Sequence, residues 1–417
     1  MNPKSIIISI ITENANPRED IRMKKALAII LSLVMMFSIL AFAGCTKKEA
    51  TDDGTKVEDT EEGTEEGITE PIKLGLIVPK TGQVAQYGIA VENAAKLAVD
   101  EVNAAGGING QEVILVSYDN KADAQESISV FNRLVDNDKI VALVGPVISS
   151  TSLAVGELAN DLEIPMISPT ATNLNVTVGL DYVFRACYID PYQGGTVAKF
   201  ANENLKATKA AILYNSGDDY STGLAEAFKA TFEEAGGTVT DYEGYTADDK
   251  DFKAVLTKIK GNSPEVIFIP DYYNTVGLIA GQVKEVGLEA VMLGGDGWDD
   301  VQKEYADVME GSYFANHYAA DDPDPIVQDF ITAYKSAYNG ETPNALAALG
   351  YDATKIMLAA IKTANTTNGP AIREALAATD ADAVAGHVTF DENGDPLKAI
   401  SMIKIVAGEL KLEAKVQ

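Results

Sequence analysis

Cys45 is the residue of this 417-residue chain whose surroundings most directly prescribe a chemistry. A charged start, Met23-Lys24-Lys25, precedes an apolar run over 26–43 and then Gly44-Cys45. The small residues Ala43 and Gly44 let a peptidase reach the bond before a cysteine whose thiol carries a diacylglyceryl group. The arrangement reads as a bacterial lipoprotein export signal. The run falls short of the roughly 20 apolar residues that usually span a bilayer. The expected products are a signal peptide over 1–44 and a mature chain that begins at a lipidated Cys45, held by its lipid to the outer face of the cytoplasmic membrane. Residues 1–22 are polar and mixed in charge, which makes Met23 the expected start; Phe42 stands where the pattern prefers leucine.

Other chemistry is scarce. His317 and His387 are the two histidines, and neither has a second His, Cys or acidic residue at metal-ligand spacing. No G-x-S-x-G elbow, G-x-x-x-x-G-K-[ST] loop or G-x-G-x-x-G turn occurs. Asp391-Glu392-Asn393-Gly394-Asp395 resembles the start of a calcium loop but lacks the rest of that pattern, so it reads as a solvated hairpin turn. Cys187 reads as a small buried apolar residue, and with Cys45 consumed by lipid no intramolecular disulfide is available. The pattern favours a binding protein over an enzyme, with no cofactor and no metal.

Between 46 and 70 ten acidic residues stand against Lys47, Lys48 and Lys56, with few apolar side chains among them. Such a segment cannot bury enough surface to fold, and self-repulsion extends it, so it reads as an acidic tether. The whole chain carries a formal charge of −29. Residues 1–44 hold five basic and three acidic side chains, which leaves 28 against 59 in the mature chain, a net charge of −31. A body this acidic repels phosphate backbones, and nucleic acid is excluded as a partner.

The elements that must position any site begin at Pro71. About 350 residues remain, enough for two domains. Short apolar runs at 72–78, 112–118, 140–144, 209–214, 239–242, 266–269 and 291–293 read as strands. Amphipathic segments at 88–103, 123–136, 220–235, 249–260 and 274–286 read as helices between them. Alternation of this kind produces parallel sheets covered on both faces. Two sets of units with Asp190-Pro191 between them predict an α/β chain of two doubly wound lobes. Helices near 325–338 and 344–363 and a hairpin about Asn393-Gly394 follow.

The stretch LGLIVPKTGQVAQYG at 74–88 and AAGGING at 104–110 resemble the opening of the branched-chain amino acid (Leu/Ile/Val) binding proteins. GPVISS at 145–150, IPMISPTAT at 164–172 and Phe184-Arg185 continue the resemblance in order, and it runs from about Ile72 to Glu413. The family implies the type I periplasmic-binding-protein fold, in which two lobes joined by a three-crossing hinge close on a ligand and deliver it to an ABC importer. The lobes implied are 71–190 with 319–399, and 191–318 with 400–417.

The same resemblance implies site residues. Ser149 follows the third strand and opens a helix, where its hydroxyl and free backbone N–H groups can hold a carboxylate. Thr170, Ala171 and Thr172, in the next strand-to-helix turn, are implied to serve the same carboxylate. Tyr87, Tyr220 and Tyr272 match aromatic positions around the ligand. Asp296, in GGDGW at 294–298, stands where leucine-type receptors place a Glu against the ligand's α-ammonium. Leu346 falls where they have Phe, which enlarges the side-chain pocket.

The resulting expectation is an extracytoplasmic receptor, monomeric, that binds a branched-chain or other apolar amino acid and hands it to the permease of an ABC importer. It touches the membrane through its lipid alone. A ligand-sensing module of the same fold, or a receptor for a small amide or carboxylic acid, is the alternative.

Overall fold

A computed structural model describes residues 67–416. The first sheet holds five parallel strands, β1 (Ile72–Val78), β2 (Val113–Asp119), β3 (Ala142–Val144), β4 (Met166–Ser168) and β5 (Val183–Arg185), in the order β2-β1-β3-β4-β5. β1 runs as an almost unbroken apolar string because it lies inside the sheet with both faces covered. Helices α1 (Ala85–Ala104), α2 (Ala124–Arg133) and α3 (Ser149–Asp161) connect these strands.

After β5 the chain enters α4 (Asp190–Glu203) and builds a second sheet. Its parallel strands are β6 (Lys209–Asn215), β7 (Thr238–Tyr245), β8 (Val266–Phe268), β9 (Val291–Gly294) and β10 (Tyr313–Asn316). Helices α5 (Asp219–Glu234), α6 (Lys253–Asn262), α7 (Tyr273–Val286) and α8 (Val301–Met309) lie between them. After β10 come α9 (Pro325–Ala337), α10 (Ala345–Ala364) and α11 (Gly369–Ala377). α10 packs on α1 so closely that a Cβ on Gly350 would lie 3.0 Å from the Val91 Cα, and a larger residue there would have to push the helices apart by a few tenths of an ångström. A two-residue ladder of β11 (Asp380–Ala381) and β12 (Val388–Thr389) follows. The chain then returns to the second sheet as β13 (Ile400–Val406) and β14 (Glu409–Val416). It thus passes between the sheets three times: after β5, after β10 and before β13.

Two doubly wound lobes are present as the pattern predicts, with three differences. The second sheet, ordered β14-β13-β10-β9-β8-β6-β7, is not parallel throughout, because β13 and β14 pair antiparallel at one edge. Asp190-Pro191 is no linker but the first turn of α4, where proline's fixed φ and missing N–H suit helix initiation. The helix expected from 249 starts at Lys253, because the Asp249 carboxylate accepts from the N–H and hydroxyl of Thr246 and holds a turn instead. Among the described residues no helix is long and apolar enough to cross a membrane. The leader, Cys45 and most of the acidic tether lie outside the described residues.

Candidate functional site

Ser149 opens α3 at the carboxyl end of β3, and Ile148, in extended conformation before it, offers no side chain to cap the helix. The first N–H groups of a helix have no intrahelical partner, so this end carries a partial positive charge that favours an anion. The Ser149 hydroxyl accepts from the Asn173 N–H at 3.2 Å, which ties the helix start to the loop after β4. Ser152 and Ser168 both donate to the Pro146 carbonyl, and the Thr170 hydroxyl donates to that of Val147, so the two loops form one rigid rim.

Arg185 braces this rim from below. Fully buried, it donates to the carbonyls of Ala171 and Asn173 at 2.9 Å each, to Leu174 O at 3.2 Å and to the Thr177 hydroxyl at 2.7 Å. Its Nε meets Asp395 Oδ1 at 2.5 Å. The expectation of a solvated turn therefore holds only in part: Asn393-Gly394 does turn, but Asp395 folds inward and is buried against the guanidinium.

Across the cleft the GGDGW segment follows β9, and Asp296 is buried with three side chains at hydrogen-bond distance from its carboxylate. Oδ1 accepts from Gln193 Nε2 at 3.0 Å and from the Tyr220 hydroxyl at 2.9 Å, while Oδ2 lies 2.9 Å from His317 Nε2. The Asp296 N–H returns a bond to Gln193 Oε1 at 3.0 Å. Gly295 makes this approach possible, since a Cβ there would sit 2.1 Å from Gln193 Oε1. Tyr220 stacks on Tyr272 with ring centroids 5.1 Å apart, and Tyr87 meets Tyr272 edge-on at 6.0 Å. Burial raises the hydroxyl pKa of all three tyrosines well above the ordinary value, so they act as neutral donors and apolar walls.

Tyr87, Ser149, Thr170, Tyr220, Tyr272, Asp296 and Leu346 line one cavity between the lobes, joined by Val147, Ile148 and Gly297. Ala171 and Thr172 are buried behind that lining. The cavity has about 20 Å³ of free space, the room of about one water. The lobes are drawn together around it by Tyr87 donating to Gly297 O, Asn173 Nδ2 to Asp219 O at 2.8 Å and Gln86 Nε2 to Glu304 Oε1 at 2.6 Å. Anything of amino-acid size enters only if the lobes part.

Sequence reasoning missed four residues here. Gln193 and His317 hold Asp296, but each lies far from it along the chain, 103 and 21 residues away. Gly297 accepts from Tyr87 through its backbone, which no side-chain pattern signals. Asp190 is the fourth: its carboxyl and the Thr172 hydroxyl sit buried side by side, each without a hydrogen bond of ordinary geometry. Burial pushes the Asp190 carboxyl well above the usual carboxylate range. Among the described residues no cluster of His, Cys, Asp or Glu could hold a metal ion.

Ser149 at the start of α3 and the held carboxylate of Asp296 thus line the same aromatic-walled cavity. The chain belongs to the periplasmic binding protein family, whose sequence model matches residues 71–409. It is 33% identical over 331 residues to the Leu/Ile/Val-binding protein homolog 3 of Brucella melitensis, covering 78% of this chain and 88% of that one. It is similar in structure to a leucine binding protein of Thermotoga maritima, with a TM-score of 0.79 and 33% identity over 83% of this chain and 99% of that chain. A branched-chain amino acid transporter substrate binding protein of Streptococcus pneumoniae, in complex with isoleucine, matches with a TM-score of 0.78 and 34% identity over the same shares.

Proposed function

We propose that this protein is an extracytoplasmic receptor that binds a branched-chain or other apolar α-amino acid between its lobes and passes it to an ABC importer, without catalysis. The observation that carries the reading is the opposition of two charge-selective surfaces across one cavity. The α3 start with Ser149 receives the α-carboxylate, and Asp296, held by three side chains, receives the α-ammonium. Thr170, Ala171 and Thr172 support the carboxylate side. Tyr87, Tyr220, Tyr272 and Leu346 enclose the aliphatic side chain. Leu346, smaller than Phe, leaves room for more than one such side chain. In this reading the lobes are 71–190 with 319–399 and 191–318 with 400–417, the receptor acts as a monomer, and the Cys45 lipid keeps it at the membrane.

A thermal-shift screen of the twenty amino acids, their amides and short-chain acids tests the reading, because a ligand that binds only the folded state raises its apparent stability. Leucine, isoleucine or valine should give the largest shifts. A larger shift with an acid or amide that lacks the amine, or no shift with any amino acid, would contradict it.

A further inference from the structure

Asp296 can meet an ammonium group only if its carboxylate keeps both its orientation and its charge. Gln193 and Tyr220 fix Oδ1, and among the described residues His317 alone hydrogen-bonds to Oδ2. His317 follows β10, and its backbone N–H is held by Asn316 Oδ1 at 2.9 Å. Asn316 in turn donates to Asp299 Oδ1 at 2.9 Å. The imidazole is buried and stacks on Tyr188 with centroids 3.7 Å apart and planes 23° apart, so it cannot swing away from Asp296.

The tautomer follows from its two nitrogens. Nε2 faces a carboxylate oxygen at 2.9 Å, and a lone pair there would be repelled, so Nε2 carries the hydrogen. Nδ1 is buried with no partner. A bare Nδ1 is a tolerable loss, whereas an imidazolium would bury an N–H and a charge with no acceptor on that side. Burial shifts the imidazole below its ordinary range despite the opposing pull of Asp296. The charged or titratable groups facing it are Asp296, Lys398 and Tyr188, with Asp190 and Asp299 around the Tyr188 ring. The buried Lys398 ammonium, which donates to Ala186 O at 2.9 Å, also disfavours a second cation.

We propose that His317 is a positioning residue for the ligand's amine: a neutral imidazole whose Nε2–H fixes Oδ2 of Asp296 without cancelling the carboxylate's charge. The inference rests on the receptor reading above. An imidazolium at this place would satisfy Asp296 internally and leave the ligand ammonium without a counter-charge. Ligand binding should therefore weaken through His317 only at a pH low enough to protonate it, below the ordinary imidazole range.

His317→Leu removes the donor, and His317→Gln places an amide donor at nearly the same reach. With L-leucine as probe, calorimetry should show His317→Leu losing about ten- to hundredfold in affinity, the range expected for one hydrogen bond to a charged group. His317→Gln should stay within about threefold of wild type, because its amide restores that bond. From pH 8 to pH 7, above the range in which the buried ring can protonate, wild type and His317→Gln should keep parallel affinity profiles. Equal losses in both variants, wild-type affinity in His317→Leu, or a wild-type loss between pH 8 and pH 7 that His317→Gln does not share would overturn the proposal. Nitrogen NMR of the wild-type imidazole at neutral pH tests the tautomer without any ligand: Nε2–H is expected, and an Nδ1–H tautomer or an imidazolium would overturn the proposal. Absence of leucine binding in wild type would count against the receptor reading, while the NMR spectrum would still decide the state of His317.

Discussion

The Tyr87 hydroxyl of the first lobe donates to the Gly297 carbonyl of the second at 2.5 Å and accepts from the Tyr273 N–H at 3.3 Å. One phenol oxygen therefore ties α1 to both the β9 loop and the start of α7, directly over the cavity.

Tyr87→Phe removes that tie and leaves the ring packing intact. A net hydrogen bond contributes about 0.5 to 1.5 kcal/mol, so affinity for leucine should fall by about two- to tenfold. Small-angle scattering should also show a larger radius of gyration for the variant, because the closed arrangement loses one of its bonds. Unchanged affinity and an unchanged radius would mean that Tyr87 only packs.

Arg185 and Asp395 form a buried pair whose partners come from distant parts of the chain, 210 residues apart. Removing one partner of such a pair costs about 3 to 5 kcal/mol, so Asp395→Ala should lower the free energy of unfolding in urea by that amount. Arg185→Lys should also destabilise, since an ammonium cannot reproduce the five donations of the guanidinium. A loss below about 1 kcal/mol in either variant, the level of an exposed pair, would contradict the bracing role.

Much of this is legible in the residues. Strands such as β1 and β6, covered on both faces, announce themselves as apolar runs, and α1 and α5 as helical spacing. β10 gives no such signal because it holds no Val, Ile or Leu and ends on Asn316. β14 has the alternation of an edge strand, but its pairing to β13 reverses a parallel sheet, and local pattern carries no strand direction. In the site, Ser149 and Asp296 are named through the family resemblance, which carries over positions along the chain. His317, Gln193 and Asp395 are not, since each acts through a partner that only the fold brings near. Spacing rules detect metal and catalytic sets on one element; they are blind to a bond from β10 to the β9 loop.

Asp271 offers a test by pH. Its carboxyl, buried and bonded to Tyr245 and to the Tyr272 N–H, is pushed up to about 7 by burial. In the unfolded chain it ionises near the ordinary value, about 4. Between these pH values the unfolded state binds fewer protons than the folded state, so this group makes stability fall as pH rises. Asp271→Asn removes the titration, and the Tyr245 hydroxyl can turn to accept from the amide. Relative to wild type the variant should gain stability from pH 4 to pH 8 in urea unfolding; a constant difference would contradict the assignment.

Cys45→Ser tests the anchor. A serine hydroxyl cannot form the thioether, so the variant should take up no fatty-acid label and remain uncleaved after Gly44. Labelling of the serine variant equal to wild type would contradict a lipid on Cys45.

The receptor reading turns on Asp296 meeting the ligand's ammonium, and Asp296→Asn removes that charge while its amide oxygen can still accept from Gln193 and Tyr220. Truncating one partner of a buried charged pair costs about 2 to 5 kcal/mol, roughly a thirty-fold to several-thousand-fold loss of affinity. Ser149→Ala should cost less, about 1 to 3 kcal/mol, because the N–H groups opening α3 still hold the carboxylate. Calorimetric titration of L-leucine and of its deaminated analogue 4-methylpentanoate into wild type and Asp296→Asn is the decisive measurement. Leucine should lose at least about thirtyfold in the variant, while the deaminated acid loses little or gains. Leucine bound equally well by Asp296→Asn and wild type would contradict the assignment.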